Sequence, residues 1–121
     1  MGFDVLVIED DAATRDSIAA TLQDAGLSVR AATDGQEGLR LLHEERPKVV
    51  LLDLMLPVMN GWKTVDSIRA DPALTSLPVV TMTAFVNTPR PKGSAGFLRK
   101  PITRDALLRE LKPYVGALLR N

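Results

Sequence analysis

Apolar positions along this chain fall either into short runs or into helical spacing, and the two patterns alternate. FDVLVI (Phe3 to Ile8) is a compact apolar run rich in β-branched residues, which predicts a buried strand. From Ala12 to Ala25 the spacing turns helical, with Ile18, Leu22 and Ala25 at i, i+4 and i+7, and Gly26 supplies the stop. LSVRAA (Leu27 to Ala32) alternates and reads as a second strand nearer an edge. Asp34 and Glu37 form a D-x-x-E capping arrangement ahead of a helix bearing Leu41 and Leu42, which Pro47 ends. Val49 to Leu52 is a third strand, uniformly apolar as a strand covered on both faces must be.

After Gly61 a third helix carries Trp62, Val65 and Ile68 on one face, and it should stop near Asp71, because Pro72 disfavours helix in the residue before it. Leu77 to Met82 reads as a fourth strand and Ala95 to Leu98 as a short fifth. Thr103 is placed to cap a last helix bearing Leu107, Leu111 and Leu118, in which Pro113 predicts a kink or a split. Strands alternating with helices imply parallel βαβ units in an α/β domain, a doubly wound five-stranded parallel sheet with helices on both faces. One stretch departs from the pattern. AFVNTPRPKGSA (84 to 95) lies where a fourth helix belongs, yet holds Pro89, Pro91 and Gly93, so that helix is expected to be short, irregular or missing.

A chain of 121 residues is the size of one domain, so residues 1–121 are expected to form a single unit with no effector domain in the chain. There is no cysteine, which removes disulfides and thiolate metal sites. Fifteen basic residues balance fifteen acidic ones, giving no electrostatic case for nucleic acid or an anionic membrane. Aromatics at 4% also argue against a stacking platform for single strands. No apolar run nears the roughly 20 residues of a membrane span and no signal peptide opens the chain, so a cytoplasmic protein is expected.

Against that background the stretch KVVLLDLMLPVMNGW (48 to 62) stands out, because Asp53 closes a wholly apolar strand, a costly place for a negative charge. In an open parallel sheet, ligands bind at the carboxyl ends of the strands. Glu9 and Asp10 follow strand one, Asp53 ends strand three, Thr83 follows strand four and Lys100 follows strand five. Taken singly, such residues are commonly caps, turn acceptors or solvated charges, and Asp11 reads as a cap. Five of them after four strands, a lysine included, fit one site better. Clustered carboxylates repel unless a cation sits among them, and hard oxygen donors suit Mg²⁺.

The chain resembles the receiver domain of bacterial two-component response regulators. VLVIEDD (5–11), VVLLDLMLPVMNGW (49–62), VVTMTA (79–84) and GFLRKPIT (96–103) carry the resemblance, in family order and over nearly the whole length. It implies a flavodoxin-like sheet of strand order 2-1-3-4-5, and a phosphorylation-dependent signalling switch rather than a turnover enzyme. Asp53 would be the phosphoacceptor, served by a histidine kinase or a histidine phosphotransfer protein. Asp10 would ligate Mg²⁺ (or Mn²⁺) directly, Glu9 mostly through water, and Met55 through its backbone carbonyl. Thr83 would be the switch hydroxyl, Lys100 the phosphoryl-contacting lysine with Lys100–Pro101 cis, and Phe97 the aromatic that swings inward, although a plain core role suits it as well.

Between Thr83 and Lys100 the chain is several residues shorter than typical receivers, so the output surface around 84–95 is expected to be atypical. A monomer, or a weak dimer that does not use the standard fourth-helix face, is expected, with a loop that could order on binding a downstream protein partner or effector domain. Met55 and Phe85, two residues past Asp53 and Thr83, are apolar and cannot orient a water, which implies slow self-dephosphorylation. Three other readings fit less well. A receiver-like module that is never phosphorylated would lack part of the site residue set, and a flavodoxin-type cofactor binder would carry a phosphate loop after strand one. A phosphatase with a nucleophilic Asp would want an acid where Met55 stands. His43 is expected at the surface, and Trp62 in the core or as a staple.

Overall fold

A computed structural model describes residues 2–120. Five strands form one parallel sheet: β1 (Val5–Ile8), β2 (Val29–Ala32), β3 (Val49–Asp53), β4 (Val79–Thr83) and β5 (Gly96–Arg99). Their order is β2-β1-β3-β4-β5, as expected, with β2 and β5 at the edges. Three α-helices connect successive strands, α1 (Ala12–Asp24), α2 (Gly35–Glu44) and α3 (Gly61–Ala70), and a fourth, α4 (Arg104–Val115), follows β5.

All but β3 begin later than the apolar runs. Phe3, Leu27 and Leu77 are buried but lie outside the ladder, closing the lower edge of the core. Pro78 has no N–H to give, so β4 starts after it and runs on through Thr83.

Successive residues of the central strands face opposite cores. Leu6, Ile8, Val50 and Leu52 pack under α2 and α3 with Leu41, Val65 and Ile68. Val5, Val7, Val49 and Leu51 pack under α1 and α4 with Ile18, Leu22, Leu107 and Leu111. That period of two, buried on both sides, explains why β1 and β3 lack polar residues until their carboxyl ends.

Caps fall where the sequence places them. The Asp11 carboxylate accepts the Thr14 N–H at 2.9 Å, Asp34 accepts that of Glu37 at 2.9 Å, and the Thr103 hydroxyl accepts that of Ala106 at 3.1 Å. Pro113 does not split α4. The helix runs through it to Val115 and gives way to a 3₁₀ turn, Gly116–Leu118, so Leu118 is exposed rather than part of the helix stripe.

No helix forms over residues 84–95, which cross as an irregular strap. The strap is fastened rather than loose. Trp62 Nε1 donates to the Pro89 carbonyl at 3.1 Å, and the Arg69 guanidinium donates to the Gly93 carbonyl at 2.7 and 3.1 Å. Arg69 also reaches the carbonyls of Thr75 and Leu77, at 2.9 and 2.8 Å. Pro91 is buried, and the Arg90 guanidinium stacks 4.7 Å from the Phe97 ring centre. Trp62, half-buried, is thus neither a core residue nor a staple, because its indole N–H needs an acceptor and the strap offers one.

Candidate functional site

The upper ends of β1, β3, β4 and β5 bring the singled-out residues together. Glu9 continues β1, its N–H donating to the Ala32 carbonyl at 3.0 Å, and its side chain is fully buried. Asp10, next in the chain, is exposed. Asp53 is the last residue of β3 and is buried. Carboxylate oxygens of Glu9, Asp10 and Asp53 lie within 4.8 Å of one another.

Lys100 enters from the end of β5. Its Nζ donates to Asp53 Oδ2 at 3.1 Å and to Glu9 Oε1. The other Asp53 oxygen accepts the Met55 N–H at 3.0 Å. Both oxygens of the carboxylate are therefore held, and its orientation is set before any ligand arrives. Lys100 is in turn tied to β4, its N–H donating to the Thr83 carbonyl at 2.9 Å. Thr83 is buried, and its hydroxyl accepts the Phe85 N–H at 3.2 Å. The Lys100–Pro101 peptide is cis.

Crowding shows in the proton affinities. Burial pushes the Glu9 carboxyl up to about 7, its contact with Asp53 adds to the rise, and Lys100 opposes it. For Lys100, burial lowers the affinity, but the carboxylates of Glu9 and Asp53 outweigh it and the net shift is upward. A cation among these oxygens relieves what Lys100 alone does not. Three hard oxygen donors at the carboxyl ends of β1 and β3, one of them exposed, fit Mg²⁺ with several of its waters retained. The site also opens sideways, beside Lys100, into a cleft of about 300 Å³ lined by Ala13, Thr14, Ser17, Ile18, Pro101 and Ile102.

Gly61 lets α3 start directly behind the site. A Cβ there would stand 2.6 Å from the Leu54 Cα and 2.8 Å from the Asp53 carbonyl oxygen. Met55 is half-exposed and Phe85 more so, both on the loops that follow β3 and β4. Phe97 is half-buried, with its ring under Arg90. His43 is exposed, as expected, and its Nε2 lies 2.7 Å from an Asp71 carboxylate oxygen, linking α2 to the end of α3. Sequence reasoning passed over Arg15, whose guanidinium donates to the carbonyls of Glu9 and Asp10 at 3.1 and 3.3 Å. It also passed over Arg69. Neither leaves a motif, because each acts on backbone carbonyls that any residue supplies.

Residues 5–112 match the family model described as the response regulator receiver domain. An uncharacterised 14.6 kDa protein from Leptolyngbya boryana is 32% identical over 92% of this chain and 88% of its own length. The DNA-binding dual master transcriptional regulator RpaA of Synechocystis is 31% identical over 97% of the chain. The chain spans only 49% of that regulator, as it spans about half of most of the curated relatives it matches. Among solved structures, the chemotaxis response regulator CheY4 of Vibrio cholerae superposes with a TM-score of 0.84 at 31% identity, covering 94% of this chain and 99% of that one. The receiver domain of the sensor histidine kinase PA1611 of Pseudomonas aeruginosa, crystallised with magnesium in its active-site cleft, gives 0.85 at 28% identity, covering 96% and 99%.

Proposed function

The chain belongs to the family of response regulator receiver domains, and from that premise we propose that Asp53 takes a phosphoryl group from a phosphohistidine on a histidine kinase or phosphotransfer protein. The observation that carries this reading is the Asp53 carboxylate, buried at the end of β3 and held by Lys100 on one oxygen and the Met55 N–H on the other. An Asp oxygen attacks phosphorus, the P–O bond forms, the P–N bond to the donor imidazole breaks, and the imidazole leaves. Such a transfer needs positioning and charge neutralisation more than proton transfer.

Lys100 has its ammonium beside the acceptor and can follow charge onto the phosphoryl oxygens. Glu9, Asp10, Asp53 and the Met55 carbonyl would hold Mg²⁺, or Mn²⁺, which when bound neutralises phosphoryl charge. The Thr83 hydroxyl, at the end of β4, is the group we assign to sense the new oxygens, with Phe97 following by repacking. The side cleft beside Lys100 gives the donor an approach.

The protein turns over no free metabolite; it catalyses only its own gain and loss of the phosphoryl group. Met55 and Phe85 offer no polar group to align an attacking water, so the phosphoryl group is lost slowly. Residues 1–121 act as one receiver unit, in the cytoplasm. No helix among the described residues is long and apolar enough to cross a membrane.

Intact mass after incubation with phosphoramidate, with and without Mg²⁺, tests the reading. One phosphoryl group on the wild type, none on Asp53→Asn, and none without the cation are expected. Its slow decay should quicken when Met55 and Phe85 are made polar. Equal labelling of Asp53→Asn would overturn the assignment.

A further inference from the structure

The zero net charge of this chain hides a strong segregation. Residues 1–83 carry thirteen acidic and seven basic residues, net −6, while residues 84–121 carry two acidic and eight basic, net +6. The positive part comprises the strap, β5, α4 and the residues after α4, and these adjoin. Arg90 of the strap lies on Phe97 of β5, and the Phe97 N–H donates to Glu110 of α4 at 3.2 Å.

Within this basic part a groove of about 370 Å³ runs between α4 and the residues after it, lined by Leu108, Arg109, Lys112, Gly116, Leu119 and Arg120. Its far wall is fixed in place: the Arg120 N–H donates to the Ala25 carbonyl at 2.7 Å, tying the wall to the end of α1. Leu108 and Leu119, both half-buried, form an apolar floor, and three exposed cations form the rim. Among the described residues none of the three pairs with an acidic side chain. The nearby acids are otherwise engaged or placed: Glu110 faces β5, Asp24 pairs with Arg104 at 3.4 Å, and Asp105 sits in the first turn of α4.

We infer that this groove is a docking site for an acidic protein segment that alternates carboxylates with apolar side chains. The rim supplies charge complementarity, and the leucine floor takes the apolar anchors. The floor also argues against nucleic acid, whose backbone has nothing to place there. No aromatic side chain lines the groove to stack a base. Docking here leaves the Asp53 site untouched and does not depend on its chemistry.

Fluorescence anisotropy tests it, using a short labelled peptide of alternating glutamate and leucine, an all-glutamate peptide and a DNA duplex as probes. The protein is used unphosphorylated, as wild type and as Asp53→Asn, so that a failed switch is not confused with a failed groove. Saturable binding of the Glu/Leu peptide is expected, equal for both proteins, weaker as salt is raised, and weakened about tenfold or more by Arg109→Glu with Lys112→Glu. Both positions are exposed, and the variant's far-ultraviolet circular dichroism verifies its fold. No saturable binding would overturn the inference. So would binding that ignores the double reversal, or all-glutamate peptide or duplex bound as tightly as Glu/Leu peptide.

Discussion

Glu9 is where the site's electrostatics become measurable. Its carboxyl is raised to about 7 in the folded protein against 4.5 for the free group, chiefly by burial and then by Asp53. The folded state therefore keeps a proton over a range where the unfolded chain has released it. By linkage, this contribution to stability is fully present below pH 4.5 and is lost as pH rises through 7, at up to roughly 1.4 kcal/mol per pH unit. The carboxylates of Asp11 and Asp71 are shifted the other way, each by a hydrogen-bond partner, so their contributions fade only in acid, below that window. In the absence of divalent cations the melting temperature is expected to fall between pH 5 and pH 7.5. Glu9→Gln should flatten the slope, as should added Mg²⁺. A slope unchanged in Glu9→Gln would show that another group carries it.

Among the elements, the β3–α3 turn and the strap differ in kind. Val58 holds φ at +65° and is 76% exposed, so a β-branched side chain sits in the left-handed region with almost no packing in return. That conformation costs about 1–2 kcal/mol for an L-residue. Val58→Gly is expected to stabilise by about 1 kcal/mol, read as a higher urea midpoint at unchanged slope. The strap depends on Arg69, which donates to carbonyls at both Gly93 and the α3–β4 connection. Arg69→Ala should open the Lys92–Gly93 bond to trypsin at concentrations that leave the wild type intact. Equal resistance would mean that Trp62 and the buried Pro91 suffice.

Much of this scale was legible in the chain. Periodicity located all five strands and the four helices that form, and the prolines of 84–95 ruled out another. What stayed hidden was the fastening. Nothing in Trp62 or Arg69 says which carbonyl each will find, and the apolar runs could not say that Phe3, Leu27 and Leu77 would plug the core outside the ladder. The site residues were readable because carboxylates, a threonine and a lysine ending apolar strands are conspicuous. Arg15 was not, being one more cation at the start of a helix.

At the scale of the molecule, the sheet order places Glu9, Asp53, Thr83 and Lys100 at the ends of neighbouring strands, so one covalent change at Asp53 can be felt by the other three. The strap occupies the place from which a fourth helix would present a dimer face. Light scattering of the phosphorylated and unmodified protein is therefore expected to show no shift from monomer to a stable dimer. A clean dimer abolished by substitution at Phe97 would show that β5 and α4 can make that face without the helix.

The proposed function rests on Asp53 as the acceptor, and the most direct measurement identifies the modified residue itself. Borohydride converts an acyl phosphate on Asp to homoserine, which tandem mass spectrometry locates in the peptide spanning β3. After phosphoramidate and Mg²⁺, the account predicts homoserine at position 53 alone. Homoserine at Asp10 or elsewhere, with Asp53 intact, would contradict it.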